Sequence, residues 1–354
     1  MGILTFHECL ERAAQHEGNK HILLGNGFSM ELNKNTFSYT ALHEKALSLL
    51  KGEDKEKTAQ LFNQANSSDF ELVLKQINNA INLIKIECPQ NTEILKKLKY
   101  RYEKIRDCLI ETISKNHPSR PSEIEDWQYD ACQKFIKNFK NIYTINYDLT
   151  LYWALMHNYI ENSTTNFIKE YSDGFSFSQN LDETYVVWDI KQGEAPKLQY
   201  LHGALHIFDS GDEIIKYTWK NTGEALVDQI KESIDNKIFP IFISEGTAEN
   251  KISRIQHSSI LSKGYRSLSS IGGTLFTFGF SFSDNDQHII DAIFNSKIKN
   301  LFIGVHQGKI PQMLANKIKE AEKKRRSNKS RKSIARNKDI NIEYYNTDTA
   351  KAWG

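Results

Sequence analysis

Apolar positions recur along this chain in two rhythms, and the rhythm changes with the region. From Thr5 to Glu17 they fall at helical spacing, at Phe6, Cys9, Leu10, Ala13 and Ala14, which predicts an amphipathic helix. After Gly18-Asn19 comes a short run of the buried-strand type, His21 to Leu24, ending in Gly25-Asn26-Gly27. Between Thr40 and Asn138 strand-like runs are lacking. The spacing there predicts helices at Tyr39–Lys51, Asp69–Ile86, Asn91–Lys115 and Ser122–Asn138, the second carried by Leu72, Ile77, Ile81, Leu83 and Ile84. His117-Pro118 and Pro121 separate the last two, with Asn116 or Ser122 available as a cap.

A second strand is expected at Asn141–Ile145, followed by a helix at Leu149–Tyr159. The middle turns β-rich at Tyr185–Ile190, Leu198–Ile207 and Glu213–Trp219, with Ser210-Gly211-Asp212 as a hairpin turn. Thereafter the order is regular: helix Glu224–Asn236, strand Phe239–Ser244, helical segments to Leu268, strand Thr274–Phe280 and helix Asp286–Asn295. Strand Asn300–Val305, helix Pro311–Lys324 and strand Ile340–Tyr345 complete it. Strands alternating with helices predict an α/β fold, a Rossmann-like parallel sheet with helices on both faces. The expected organisation is one domain over residues 1–354, with residues 39–138 as a helical insertion after the first strand.

Composition narrows the classes without naming one. A net charge of +2 gives no global electrostatic case for nucleic acid or an anionic membrane. No run approaches the roughly 20 apolar residues of a membrane span, and the N-terminus mixes charges too early for a signal peptide. Cys9, Cys88, Cys108 and Cys132 form no C-x-x-C pair, so reduced thiols in the cytoplasm are the expectation. Charge is uneven: residues 317–338 hold eleven Lys or Arg in 22 positions. That run reads as a footprint for nucleic acid or an acidic partner, or as a solvated helix end and loop. No aromatic interleaving or nucleic-acid motif accompanies it, which favours the second reading.

Four polar constellations fall at or near predicted strand ends, where ligands bind in doubly wound sheets. They are Gly25-Asn26-Gly27-Phe28-Ser29, Thr144-Ile145-Asn146-Tyr147-Asp148, His202-Gly203, and Gly279-Phe280-Ser281 running on to Asp286. Each alone has a structural explanation. Glycines serve tight turns, Asn-x-Asp and Ser283-Asp284-Asn285-Asp286 cap helices, and a lone histidine packs in a core. Their joint order along an α/β chain is what points to a site. His206, four residues after His202, suggests a metal pair, but no carboxylate or thiol partner stands out and no metal is expected.

That joint pattern resembles the sirtuin-type NAD-binding family, whose G-A-G-x-S, T-Q-N-I-D, H-G and G-T-S motifs match the four stretches in order over residues 20 to 305. Sirtuin deacylases carry a four-cysteine zinc module between the second and last motifs, and Leu149 to Phe278 contains no cysteine. The chain is therefore more similar to prokaryotic zinc-less sirtuin-like proteins, several of which are NAD hydrolases of anti-phage defence. The resemblance implies that Gly25, Asn26, Gly27, Phe28, Ser29, Thr144, Gly279 and Ser281 bind NAD. Pyrophosphate would sit over the glycine-loop amides, and Gly279 and Ser281 would line the adenosine side. It also implies that Asp148 accepts from the carboxamide, that Asn146 positions water or a ribose hydroxyl, and that His202 is the general base.

The activity so implied is NAD glycohydrolysis, releasing nicotinamide and ADP-ribose from NAD as substrate. A hydrolase of this kind must be regulated, so a homo-oligomer or an activating protein partner is expected, with the helical insertion as its contact. A non-catalytic NAD or ADP-ribose-binding regulator is the alternative, and an NAD-dependent protein deacylase is the third.

Overall fold

The computed structural model describes residues 2–157, 170–177, 185–189, 195–218, 225–236, 238–243, 248–327 and 339–354. Six strands form one parallel sheet: β1 (Lys20–Leu24), β2 (Asn141–Thr144), β5 (Leu198–Tyr200), β8 (Gly272–Phe278), β9 (Lys297–Val305) and β10 (Asn341–Asn346). Their order is β10-β9-β8-β1-β2-β5. Alternate residues of the sheet enter two separate cores. Ile22, Leu24, Phe276, Phe278 and Phe302 face one, whereas Leu23, Leu275, Leu301 and Ile303 face the other. A strand covered on both sides has no polar face, which is why β1 reads as an unbroken apolar run.

Helices α1 (Phe6–Ala14) and α8 (Asp126–Ile136) supply Phe6, Cys9, Cys132 and Phe135 to the first core. Thr5 and Glu8 form a reciprocal capping box that starts α1. On the second face lie α12 (Ser259–Ser270), α13 (Gln287–Asn295) and α14 (Gln312–Ser327), through Leu268, Ile289, Ile293, Leu314 and Ile318. The α/β class with helices on both faces of a parallel sheet is thus as the periodicity predicts.

Between β1 and β2 the chain is helical: α2 (Asn26–Leu32), α3 (Lys34–Phe37), α4 (Tyr39–Leu49), α5 (Gly52–Ala65), α6 (Phe70–Glu87) and α7 (Thr92–Asn116) precede α8. Helix α5 is absent from the sequence expectation, because apolar spacing is thin there and only Thr58 and Phe62 are buried. Asp69 caps α6 by accepting from the amides of Glu71 and Leu72. That helix buries Phe70, Val73, Leu74, Ile77 and Ile81 along one stripe.

The β-rich middle departs from expectation. The single strand foreseen at Leu198–Ile207 is β5 in the main sheet followed by a turn. At Ile207–Asp209 begins β6, in a second, antiparallel sheet with β3 (Phe175–Phe177), β4 (Tyr185–Trp188) and β7 (Ile214–Tyr217). Gly203 makes the break. Its φ is +88°, and a Cβ there would lie 1.9 Å from the Ile241 carbonyl oxygen. The strand foreseen at Phe239–Ser244 does not join the parallel sheet. Its described residues, to Ile243, run against the 202–207 turn: Ile243 N–H donates to the His202 carbonyl and Ile241 N–H to Ile207. Only Phe242 forms a bridge, to Gly203, and Pro240 has no amide to extend the ladder. The foreseen turn at Ser210-Gly211-Asp212 does join β6 to β7.

Of the basic run, residues 317–327 finish α14, and 328–338 lie outside the described residues. Within the helix Lys317 pairs with Asp284, and Lys324 pairs with Asp291 at 2.9 Å. These are the contacts of a solvated helix face. No helix among the described residues is long and apolar enough to cross a membrane.

Candidate functional site

The chain leaves β1 toward β2 and β5 on one side, and later returns to β8, β9 and β10 on the other. The carboxyl end of β1 is therefore the switch point where an open α/β sheet leaves a crevice. A cavity of about 80 Å³ lies there. It is lined by Asn26, Ile145, Asn146, Tyr147, Asp148, His202 and Asp286 from the sheet side, and by Phe37, Leu42, Phe70, Glu71, Leu109 and Ile113 from the helices between β1 and β2.

Two of the sequence motifs are joined through one hydroxyl. Ser29 Oγ donates to Asp148 Oδ2 at 2.6 Å and accepts from Asn146 Nδ2 at 2.9 Å. Asp148 Oδ1 accepts from the Thr150 amide at 2.9 Å and from its hydroxyl, which fixes the turn that leads into α9 (Thr150–Met156). Thr144 Oγ1 accepts from the Asn146 amide at 3.0 Å and fixes the turn after β2. Asn146 Oδ1 is buried and has no partner among the described residues. A buried acceptor in a cavity wall is short of one hydrogen bond, and a ligand N–H or O–H can supply it.

His202 sits 1% exposed after β5, where the Gly203 turn ends the strand. Its Nε2 lies 2.9 Å from His288 Nε2 and 4.0 Å from Asp286 Oδ1. Burial, with the Lys251 ammonium nearby, holds the His202 pKa well below the ordinary imidazole value. Burial, then His202 and Lys251, take His288 down to about 2. Both rings are neutral at pH 7, so one Nε2 donates and the other accepts. Asp286 stands at the N-cap position of α13 but makes no capping bond. It accepts instead from Lys251 Nζ at 3.2 Å, and Lys251 in turn reaches Glu71 Oε2 at 2.8 Å. Burial opposes the Lys251 charge, yet the two carboxylates outweigh it and raise the ammonium pKa. Burial pushes Glu71 up to about 7 against the pull of Lys251, with Asp286 and Asp69 adding to the rise.

Of the expected site residues, Ser29 and Thr144 brace the Asn146–Asp148 turn, and the others divide in three. Asn26, Asn146, Asp148 and His202 line the cavity. Gly25, Gly27 and Gly279 make the tight crossing beneath it. Gly25 N–H donates to the Phe278 carbonyl and Gly27 N–H to the Gly279 carbonyl, so these two amides are already engaged. A Cβ on Gly27 would lie 2.5 Å from Gly279 Cα, and Gly279 itself has a φ of +66°. Phe28 is core, packed on Phe278 and Trp353, and Ser281 is exposed and away from the cavity lining.

His206 does not join His202. The segment is a turn and not a strand, and His206 is buried against Tyr152 and Tyr200. Residues that sequence reasoning missed are Glu71, Lys251, His288 and Asp286, the last read only as part of a helix cap. Their one signal is the Asp286-x-His288 spacing. Ligating atoms of His202, His288 and Asp286 lie within 4.8 Å of one another, a donor set that suits a divalent ion. The same Asp286 oxygen carries the Lys251 ammonium, so the cation of this cluster is the lysine.

Fold and site together define a Rossmann-like α/β protein with a buried polar crevice at its sheet crossover. Residues 22–353 match the model of a family described as a domain of unknown function, DUF4917, and the chain belongs to that family. No curated protein matches the chain.

Proposed function

We propose that this protein is an NAD glycohydrolase that cleaves the nicotinamide–ribose bond, and that it acts in the cytoplasm as a regulated effector of anti-phage defence. One observation carries the chemistry. Asn146 and Asp148 from the turn after β2 and His202 from the turn after β5 open into one crevice at the switch point, with Asn146 Oδ1 an unpaired acceptor among the described residues. Breaking this bond expels a neutral leaving group from a cation and leaves an oxocarbenium-like ribose, as in glycoside cleavage. The crevice supplies what that requires: carboxylates at Asp148, Asp286 and Glu71 to favour positive charge, and a fixed amide at Asn146 to orient a hydroxyl or water. In the tautomer in which His202 donates Nε2–H to His288, its Nδ1 keeps a lone pair for a proton from that hydroxyl or water. The engaged amides of Gly25 and Gly27 leave the phosphates to Asn26 and the mouth of the crevice rather than to the glycines.

The test is chromatographic detection of nicotinamide after incubation of the purified chain with NAD, alone and with candidate activating partners. Nicotinamide release that is abolished in Asn146→Ala and His202→Ala supports the reading. Tight binding of NAD or ADP-ribose with no release under any condition would make the protein a binding regulator instead.

A further inference from the structure

Charges around the crevice do not balance. Glu71, Asp148 and Asp286 line it, and among the described residues the ammonium bonded to this set is Lys251, shared between Glu71 and Asp286. Asp148 is held by the Ser29 and Thr150 hydroxyls, which carry no charge. The facing histidines, His202 and His288, are neutral. Even with Glu71 protonated, one ammonium set against Asp148 and Asp286 leaves one negative charge in a largely buried place, and ionisation of Glu71 makes it two. A fold does not retain buried charge of one sign without a counter-charge to meet it.

The rest of the lining says what kind of counter-charge fits. Phe37, Leu42, Phe70, Leu109 and Ile113 form an apolar wall, which suits a flat delocalised ring better than a strongly hydrated ion. Independently of the charges, Asn146 lines the crevice and is only 8% exposed, and its buried Oδ1 has no donor among the described residues. The matching ligand is planar, positively charged and carries an N–H or O–H group. Glu71 is the carboxylate best placed to read that charge. It comes from α6 on the opposite wall from Asp148, and among the described residues its Oε1 meets a long 3.4 Å approach from the Tyr147 hydroxyl, whose proton is directed at the Ile243 carbonyl at 2.7 Å.

We infer that the crevice is a receptor for an aromatic cation and that Glu71, contributed by the helices between β1 and β2, selects for its charge. The inference rests on the NAD reading only for the ligand's name, since the positively charged nicotinamide ring has this chemistry and the reduced, neutral ring does not. On this account those helices complete the site.

Calorimetric titration with 1-methylnicotinamide, a cation methylated on the ring nitrogen, and with nicotinamide, its neutral counterpart, tests this on the whole chain. The wild type is expected to bind the cation more tightly. Glu71→Gln, which keeps the shape and removes the charge, should weaken the cation at least about tenfold and leave nicotinamide unchanged. Retained nicotinamide binding also shows that the variant is folded. Equal loss for both compounds, no loss for either, or no binding of the cation by the wild type overturns the inference. Nicotinamide release from NAD, measured alongside, separates the two ideas. Charge-selective binding without release leaves the receptor standing and removes the hydrolase. Release without charge selection does the reverse.

Discussion

Glu71 should make the protein less stable as pH rises, and removing its charge should remove that contribution. The carboxyl has an ordinary value of 4.5 and is raised to about 7 in the folded chain, chiefly by burial. Below 4.5 both folded and unfolded chains hold the proton, and the stability linked to it is fully present. Between 4.5 and about 7 only the native state holds it, so this stability falls as pH rises through the native value. At about 1.4 kcal/mol per pH unit the total is about 3 kcal/mol. Glu71→Gln mimics the protonated form and leaves Lys251 paired with Asp286. Urea denaturation followed by the fluorescence of buried Trp153 and Trp353 provides the assay, at pH 5 and pH 8. The variant should be more stable by less than about 1 kcal/mol at pH 5 and by up to about 3 kcal/mol at pH 8. A variant less stable than wild type at pH 8 would refute the reasoning, because the ionised Glu71–Lys251 bond would then be net favourable. Asp69, also raised by burial, supplies a smaller slope of the same sign that both proteins share.

Two other changes probe the scaffold. Gly27→Ala places a methyl 2.5 Å from Gly279 Cα, backbone against backbone; a loss of more than about 2 kcal/mol in the same denaturation assay is expected, and a neutral outcome would show that the crossing can relax. His206 is buried with both ring nitrogens unpaired among the described residues, and burial holds its pKa well below the ordinary value. As pH falls below 6.5 the unfolded chain takes a proton that the native state refuses, so native stability drops. His206→Phe should remove that component, and its melting temperature should gain on wild type from pH 7.5 to 5; parallel curves would count against a neutral buried ring.

Local pattern was enough for the class of fold. The unbroken apolar run of β1 and the alternation of strands with helices after Glu224 depend on which residues can face a core, a property that periodicity carries. It was also enough to single out Asn146, Asp148 and His202, because Asn and Asp after a strand and a His-Gly turn are local signatures. Where sequence and structure part, the cause is a partner distant in the chain. Gly203 turns the chain because Ile241 stands against it. The glycines of the first loop are small because Gly279 crosses beneath them, and phosphate plays no part in that contact. Asp286 leaves its helix cap to meet Lys251, and Lys251 carries its charge through burial because Asp286 and Glu71, the latter from a helix 180 residues earlier, both reach it. Electrostatic balance in a buried place is a sum over everything within a few ångströms, and no stretch of sequence contains that sum. Local pattern dictated the strands of the parallel sheet, most of the helices and three polar residues; packing between distant segments decided that those residues share a crevice.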